Sequence, residues 1–227
     1  MATIGFFGDS FCMFYQNDHS IEHNYDTYIK QVADHNNQSM TDILNYGHGG
    51  SSYWDTILVQ FKPFIDNPPD ICIFVWTEPH RRIFHRKCRT IWEARIKDNK
   101  LLAIWKLFQK NFFDKEKSDM EYISALHYFD TEVLSKLKNT KIIHLWGFGS
   151  FDNYSINSDE YNNCLSYPYK FKTGVEIRPA LLSFSYTRDI KEKLYDYMYT
   201  PYPNHIAGKE ANDKVSNLII DAIKNYK

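Results

Sequence analysis

The sequence predicts an α/β protein of three layers, α/β/α, built on a mostly parallel five-stranded sheet with helices on both faces. Three observations predict it. Short apolar runs alternate along the chain with longer stretches whose apolar residues recur every three to four positions. The run Ile71 to Trp76 is apolar at every position, as a central strand covered on both faces requires. Two other runs stop on glycine turns, Gly8-Asp9-Ser10 and Gly47-His48-Gly49-Gly50, where a strand hands over to the next helix.

The elements follow in order. Thr3 to Phe7 reads as a buried strand, and Tyr25, Tyr28, Ile29, Val32 and Ala33 form the single stripe of a following helix. Ile43 to Tyr46 is a second short strand. Ser51 or Ser52 caps a helix striped by Tyr53, Trp54, Ile57, Leu58, Phe61, Phe64 and Ile65, which Asn67-Pro68-Pro69 ends. After the Ile71 to Trp76 strand, two helices are expected within residues 91–138 as an insertion or a crossover. Their stripes run through Leu101, Leu102, Trp105, Phe108 and Phe112, then Ile123, Leu126, Phe129, Val133, Leu134 and Leu137. Lys141 to Trp146 is a fourth strand, residues 147–172 read as a long polar surface loop, and Val175 to Leu182 holds a fifth strand. Val215, Leu218, Ile219, Ala222 and Ile223 stripe the last helix. With no repeat and no linker, residues 1–227 are expected to form one domain.

Composition excludes several classes. Lys and Arg (27) nearly balance Asp and Glu (28), so net charge, at -1, supplies no general attraction to nucleic acid or to an anionic membrane. An apolar run of about 18 residues, the minimum for a membrane span, is missing, and no basic stretch precedes the first strand as in a secretory signal. A cytoplasmic protein is expected. The four cysteines, Cys12, Cys72, Cys88 and Cys164, form no CxxC pair and are read as reduced. The 17 Tyr and 16 Phe fit an apolar core, a ligand groove or simple coding bias, and composition does not choose among them.

Ligands of open parallel sheets bind beyond the carboxyl ends of the strands, so chemistry is sought in the segments that follow them. These are Gly8-Asp9-Ser10-Phe11, then Asn45-Tyr46-Gly47-His48-Gly49-Gly50-Ser51-Ser52, then Trp76-Thr77-Glu78-Pro79, with Pro203-Asn204-His205 ahead of the last helix. In type, order and placement the four blocks resemble the SGNH (GDSL-like) hydrolase superfamily, from Gly5 to the C-terminal helix. The resemblance implies a flavodoxin-like fold and a serine esterase acting on a small ester, such as an O-acetyl group on a carbohydrate or a short acyl chain. It implies Ser10 as nucleophile and His205 as base, and an oxyanion hole built from Ser10, Gly50 and Thr77. No cofactor and no metal is implied. Asp9 takes a structural part in that family.

Two positions depart from the family pattern. Thr77, with Glu78 after it, stands where the family carries an Asn, and its hydroxyl donates a single, shorter-reaching hydrogen bond. Three residues before His205 stands Tyr202 rather than the usual Asp, which leaves a Ser-His dyad or an atypical triad. Loss of that acid lowers turnover by about 10⁴ in serine proteases without abolishing catalysis. Asn204, Glu78, a backbone carbonyl or a distant acid stands in as support. The alternative is a catalytically impaired binding module of the same fold for a carbohydrate or an anionic ligand, the two glycine clusters then being ordinary strand-to-helix turns.

Arg81 and Arg82 open a basic run with Arg86, Lys87 and Arg89 directly after the third block. It forms either an anion-binding patch or a solvated helix face. A phosphate or nucleic-acid ligand would use the same run. His80, His85 and Cys88 match no common zinc spacing. Cys12, two residues past Ser10, has no counterpart in the family blocks. Trp54, Trp76 and Trp146 with Tyr154, Tyr161, Tyr167 and Tyr169 form either a carbohydrate-stacking wall or core filling.

Overall fold

The computed structural model describes residues 2–12, 27–49, 51–77, 103, 107, 114–147, 169–178, 180–181, 206 and 208–226. Five strands, β1 (Ile4–Gly8), β2 (Leu44–Asn45), β3 (Ile71–Trp76), β4 (Lys141–Trp146) and β5 (Val175–Ile177), form one sheet in the order β2-β1-β3-β4-β5. Every pairing is parallel. This is the doubly wound, flavodoxin-like order. The chain builds outward from β1 to one edge, returns, and builds to the other, so connections diverge where β1 meets β3.

Strand periodicity sorts the core into two layers. Side chains alternate across a strand, so Ile4, Phe6, Ile73, Val75, Ile143 and Leu145 share one face of the sheet. Phe7, Cys72, Phe74, Trp76, Ile142 and Trp146 share the other. The first face is covered by α1 (Tyr28–His35) and the C-terminal helix. The second is covered by α2, a π-helical segment (Asp55–Phe61) that ends in a 3₁₀ turn (Lys62–Phe64), and by α3 (Lys115–Tyr128). α3 runs on through a π-helical turn (Phe129–Val133) and a 3₁₀ turn (Leu134–Lys136). The C-terminal helix is α4 (Gly208–Lys224). Helices thus lie on both faces.

Local chemistry sets the helix starts. Thr27 caps α1 by accepting from the Lys30 N–H at 3.3 Å, and Asp114 caps α3 by accepting from the Lys117 N–H at 3.0 Å. Ahead of α2 the hydroxyl of Ser52 donates to Asp55 Oδ2 and accepts from the Asp55 N–H, while Asp55 Oδ2 also accepts from the Ser52 N–H at 2.9 Å. That reciprocal box decides between the two serines that the sequence offered. α3 occupies the C-terminal half of the predicted 91–138 helical region and is the crossover between the parallel neighbours β3 and β4. Of the first half, only Ala103 and Leu107 are among the described residues. No helix among the described residues is long and apolar enough to cross a membrane.

Two expected boundaries need correction. β5 ends at Ile177 rather than running to Leu182; Pro179 has no N–H to give a ladder, and Ala180 and Leu181 enter the core without joining the sheet. At the end of the predicted 147–172 surface loop, Phe171 turns inward between the exposed Lys170 and Lys172. Phe171 is 8 % exposed and stacks on the His144 ring at 3.6 Å. Asp130, fully buried, holds this stretch: its carboxylate accepts from the Lys172 N–H (2.7 Å), the Thr173 N–H (3.0 Å) and the Tyr169 hydroxyl (3.0 Å). A buried charge met by three donors replaces the hydrogen bonds that water would supply.

Candidate functional site

Ser10 stands at the carboxyl end of β1, the first residue of a 3₁₀ turn (Ser10–Cys12). The turn is forced by its flanks. Gly8 has φ +152°, and a Cβ there would lie 2.4 Å from the Val75 carbonyl, so β1 and β3 approach at a point only glycine permits. Asp9 is buried, and its Oδ1 accepts from the Phe11 N–H at 3.0 Å while its carbonyl accepts from the Cys12 N–H at 3.2 Å. These bonds shape the turn. Phe11 and Cys12 are fully buried, and the Phe11 carbonyl accepts from the Tyr28 hydroxyl at 2.8 Å. Ser10 itself is half-buried between these anchored neighbours. Burial, with Asp9 nearby, pushes the Cys12 thiol well above its ordinary value and keeps it protonated.

The second block is strapped to that turn. Asn45 donates through Nδ2 to the Cys12 carbonyl at 2.8 Å and accepts at Oδ1 from the Gly47 N–H at 2.9 Å. A Cβ at Gly47 would lie 2.5 Å from the same Cys12 carbonyl, which explains the glycine. The His48 N–H donates to the Gly8 carbonyl at 3.2 Å. A buried residue that sequence reasoning missed completes the strap: Gln60 of α2 bonds both polar groups of Gly8 and the Ser51 hydroxyl. The available signal was a polar residue beside Phe61 within the apolar stripe of α2.

Thr77 follows β3 as Ser10 follows β1. Gly8 pairs with Val75 in the ladder, so each lies two residues beyond a paired position, and adjacent strands run about 4.8 Å apart. The Thr77 carbonyl is held by the Tyr122 hydroxyl at 2.6 Å, which fixes the backbone. Its own hydroxyl is 3 % exposed by residue and has no hydrogen-bond partner among the described residues. An unpaired buried hydroxyl costs about 1–3 kcal/mol, so its retention is consistent with a ligand atom as its partner.

Gly50, Glu78, Arg81, Arg82, Tyr202, Asn204 and His205 lie outside the described residues, as do His80, His85, Cys88 and Cys164. Ile206, next in the chain to His205, is fully buried in the same apolar cluster as Phe11 and Cys12. Its carbonyl accepts from Asn212 Nδ2 at 3.5 Å, and Asn212 Oδ1 accepts from the Tyr28 N–H at 2.8 Å. The residues after Ser10 and the residue after His205 therefore share one anchored core.

No protein-family model matches the chain, and no curated protein matches it. Among solved structures it is similar to an acetyl xylan esterase at 15 % identity and a TM-score of 0.44, over 97 % of this chain and 99 % of that one. It is also similar to a protein described as a GDSL-like lipase from Parabacteroides merdae, at 16 % identity and a TM-score of 0.43, over 98 % and 95 %.

The aromatic residues divide. Trp76 and Trp146 are buried, so of the two readings offered for them the structure selects core filling, with Phe171 stacked on Trp76 at 5.4 Å. Burial, with the hydrogen bond that Tyr169 donates to Asp130, pushes its phenol up to about 12. Trp54 lines a cavity of about 650 Å³ with Lys117, Met120, Glu121 and Tyr128, none of them a candidate site residue. Tyr154, Tyr161 and Tyr167 lie outside the described residues. Cys12 and Cys72 are free, buried thiols.

Proposed function

We propose that this protein is a serine esterase of the SGNH type that hydrolyses a small ester, an O-acetyl group on a carbohydrate or a short acyl chain. The observation that carries the reading is that Ser10 and Thr77 follow adjacent strand ends at the switch point, with the Thr77 hydroxyl buried and unpartnered among the described residues. Donors held ready for a charge that develops only during reaction are what an oxyanion hole requires.

In this reading His205 takes the proton from Ser10 Oγ as that oxygen bonds to the ester carbonyl carbon. The carbonyl oxygen becomes an oxyanion that accepts from the N–H groups of Ser10 and Gly50 and from the Thr77 hydroxyl. Collapse expels the alcohol, which takes the proton from His205 and leaves an acyl group on Ser10. Water, deprotonated by His205, then releases the acid. Asn204 or Glu78 orients the imidazole in place of the acid that Tyr202 displaces. Arg81 and Arg82 hold an anionic part of the substrate.

The test is labelling by a fluorophosphonate together with hydrolysis of p-nitrophenyl acetate. Labelling at Ser10, with both activities lost in Ser10→Ala, is the expected result. Absence of labelling in folded wild-type protein would overturn the enzyme reading and leave the ligand-binding alternative.

A further inference from the structure

β2 ends one step too early. In a parallel sheet, alternate residues of a central strand turn both their N–H and C=O toward the same neighbour. Phe6 faces β2, since its carbonyl accepts from the Tyr46 N–H at 2.9 Å, so Gly8 faces that side as well. β2, however, stops at Asn45, and beyond it the chain turns so that Gly47 can meet Cys12. The His48 N–H still reaches the Gly8 carbonyl at 3.2 Å, but the Gly8 N–H is left without a strand partner, at the point from which Asp9 and Ser10 depart.

The side-chain amide of Gln60 occupies that place. Its Oε1 accepts from the Gly8 N–H at 2.6 Å and its Nε2 donates to the Gly8 carbonyl at 2.9 Å. The orientation of the amide is dictated by these partners, because an N–H needs an acceptor and a carbonyl needs a donor. The second Nε2 proton goes to the Ser51 hydroxyl at 3.1 Å. One buried side chain thus supplies the acceptor that β2 does not, shares the Gly8 carbonyl with the His48 N–H, and ties the departure of the Ser10 turn to Ser51, the residue after Gly50.

We propose that Gln60 is a positioning residue for the reaction at Ser10: its amide accepts the Gly8 N–H that β2 leaves over and, through Ser51, sets the spacing between the Ser10 turn and the loop carrying Gly50. The inference rests on the esterase reading for its catalytic readout, and on the hydrogen bonds to Gly8 for its structural one. A side-chain amide offers both a donor and an acceptor in one plane, which neither Glu nor Leu does. Gln60→Leu removes both, whereas Gln60→Glu keeps an acceptor for the Gly8 N–H and, as a carboxylate, repels the Gly8 carbonyl.

Two measurements test it, on Gln60→Leu and on Gln60→Glu in case the first does not fold. In folded variants the rate constant of fluorophosphonate labelling is expected to fall by about 10–100-fold, with the KM for p-nitrophenyl acetate within about twofold of wild type. Amide exchange at Gly8 is expected to accelerate in Gln60→Leu, and less in Gln60→Glu, where an acceptor remains. Wild-type labelling rates in a folded variant would overturn the proposal while leaving the esterase reading intact. If wild-type protein does not label, the esterase reading falls, and Gly8 exchange decides whether Gln60 sets this turn: unchanged protection in Gln60→Leu overturns that too.

Discussion

Trp76 donates its indole N–H to Nδ1 of His144 at 3.0 Å, across the β3–β4 pairing, which leaves the imidazole proton on Nε2 to donate to the Thr173 carbonyl at 2.9 Å. Both ring nitrogens are used in the neutral form, and the ring is fully buried against Phe171. The charged form has neither water nor an acceptor at Nδ1.

Acid stability should follow from that arrangement. Burial pushes His144 down to about 4 from an ordinary 6.5. The folded state then binds fewer protons than the unfolded state between these values, so stability is fully present above pH 6.5 and is lost as pH falls toward 4. The loss is about 3 kcal/mol from this residue. Urea unfolding across this window should show a steeper fall for wild type than for His144→Gln, and equal slopes would refute the assignment.

Thr77→Val should separate stability from activity. The change removes a buried hydroxyl that has no partner among the described residues and keeps the side chain's shape, so stability should hold or rise by about 1 kcal/mol. Turnover of p-nitrophenyl acetate should drop by about 100- to 1000-fold, the range found when one oxyanion donor is deleted. A destabilised but fully active variant would show that the hydroxyl has a structural partner and no part in the reaction.

Gly47→Ala should disturb the Ser10 turn from a distance. The added Cβ would sit 2.5 Å from the Cys12 carbonyl, which Asn45 already binds, so one of the two segments must move. Overpacking of this kind costs about 1–3 kcal/mol. Thermal unfolding should register that loss, with slower labelling at Ser10 in the folded fraction.

Asp130→Ala should loosen β5. Its carboxylate is the common acceptor for Lys172, Thr173 and Tyr169, and truncation strands two backbone N–H groups in the interior. A loss of about 3 kcal/mol or more is expected. Hydrogen exchange should show the Val175–Ile177 amides deprotected before those of β3. Equal protection in the variant would place the anchor of β5 elsewhere.

The periodic elements were legible because burial imposes its period on the residues themselves. Ile71 to Trp76 had to be a central strand, since six consecutive apolar side chains need both faces covered. Ser10 and Thr77 were placed at strand ends by the turns that follow apolar runs. Asp130 was invisible for the opposite reason. Nothing near it in sequence distinguishes a carboxylate that caps residues 172 and 173 from an ordinary exposed helix acid. Phe171 looked like part of a polar loop because its stacking partner, His144, comes from another strand.

By itself the sequence determined the alternation of strands and helices, the two-sided burial of β3 and the glycine turns that carry the candidate nucleophile, all of which depend on near neighbours. Only the tertiary structure decided that β2 would stop at Asn45, that Gln60 would supply an acceptor for the Gly8 N–H from 52 residues away, and that the Thr77 hydroxyl would be buried with no partner among the described residues. A hydrogen bond is satisfied by whichever group the packed layers bring within 3 Å, and sequence separation places no limit on that choice.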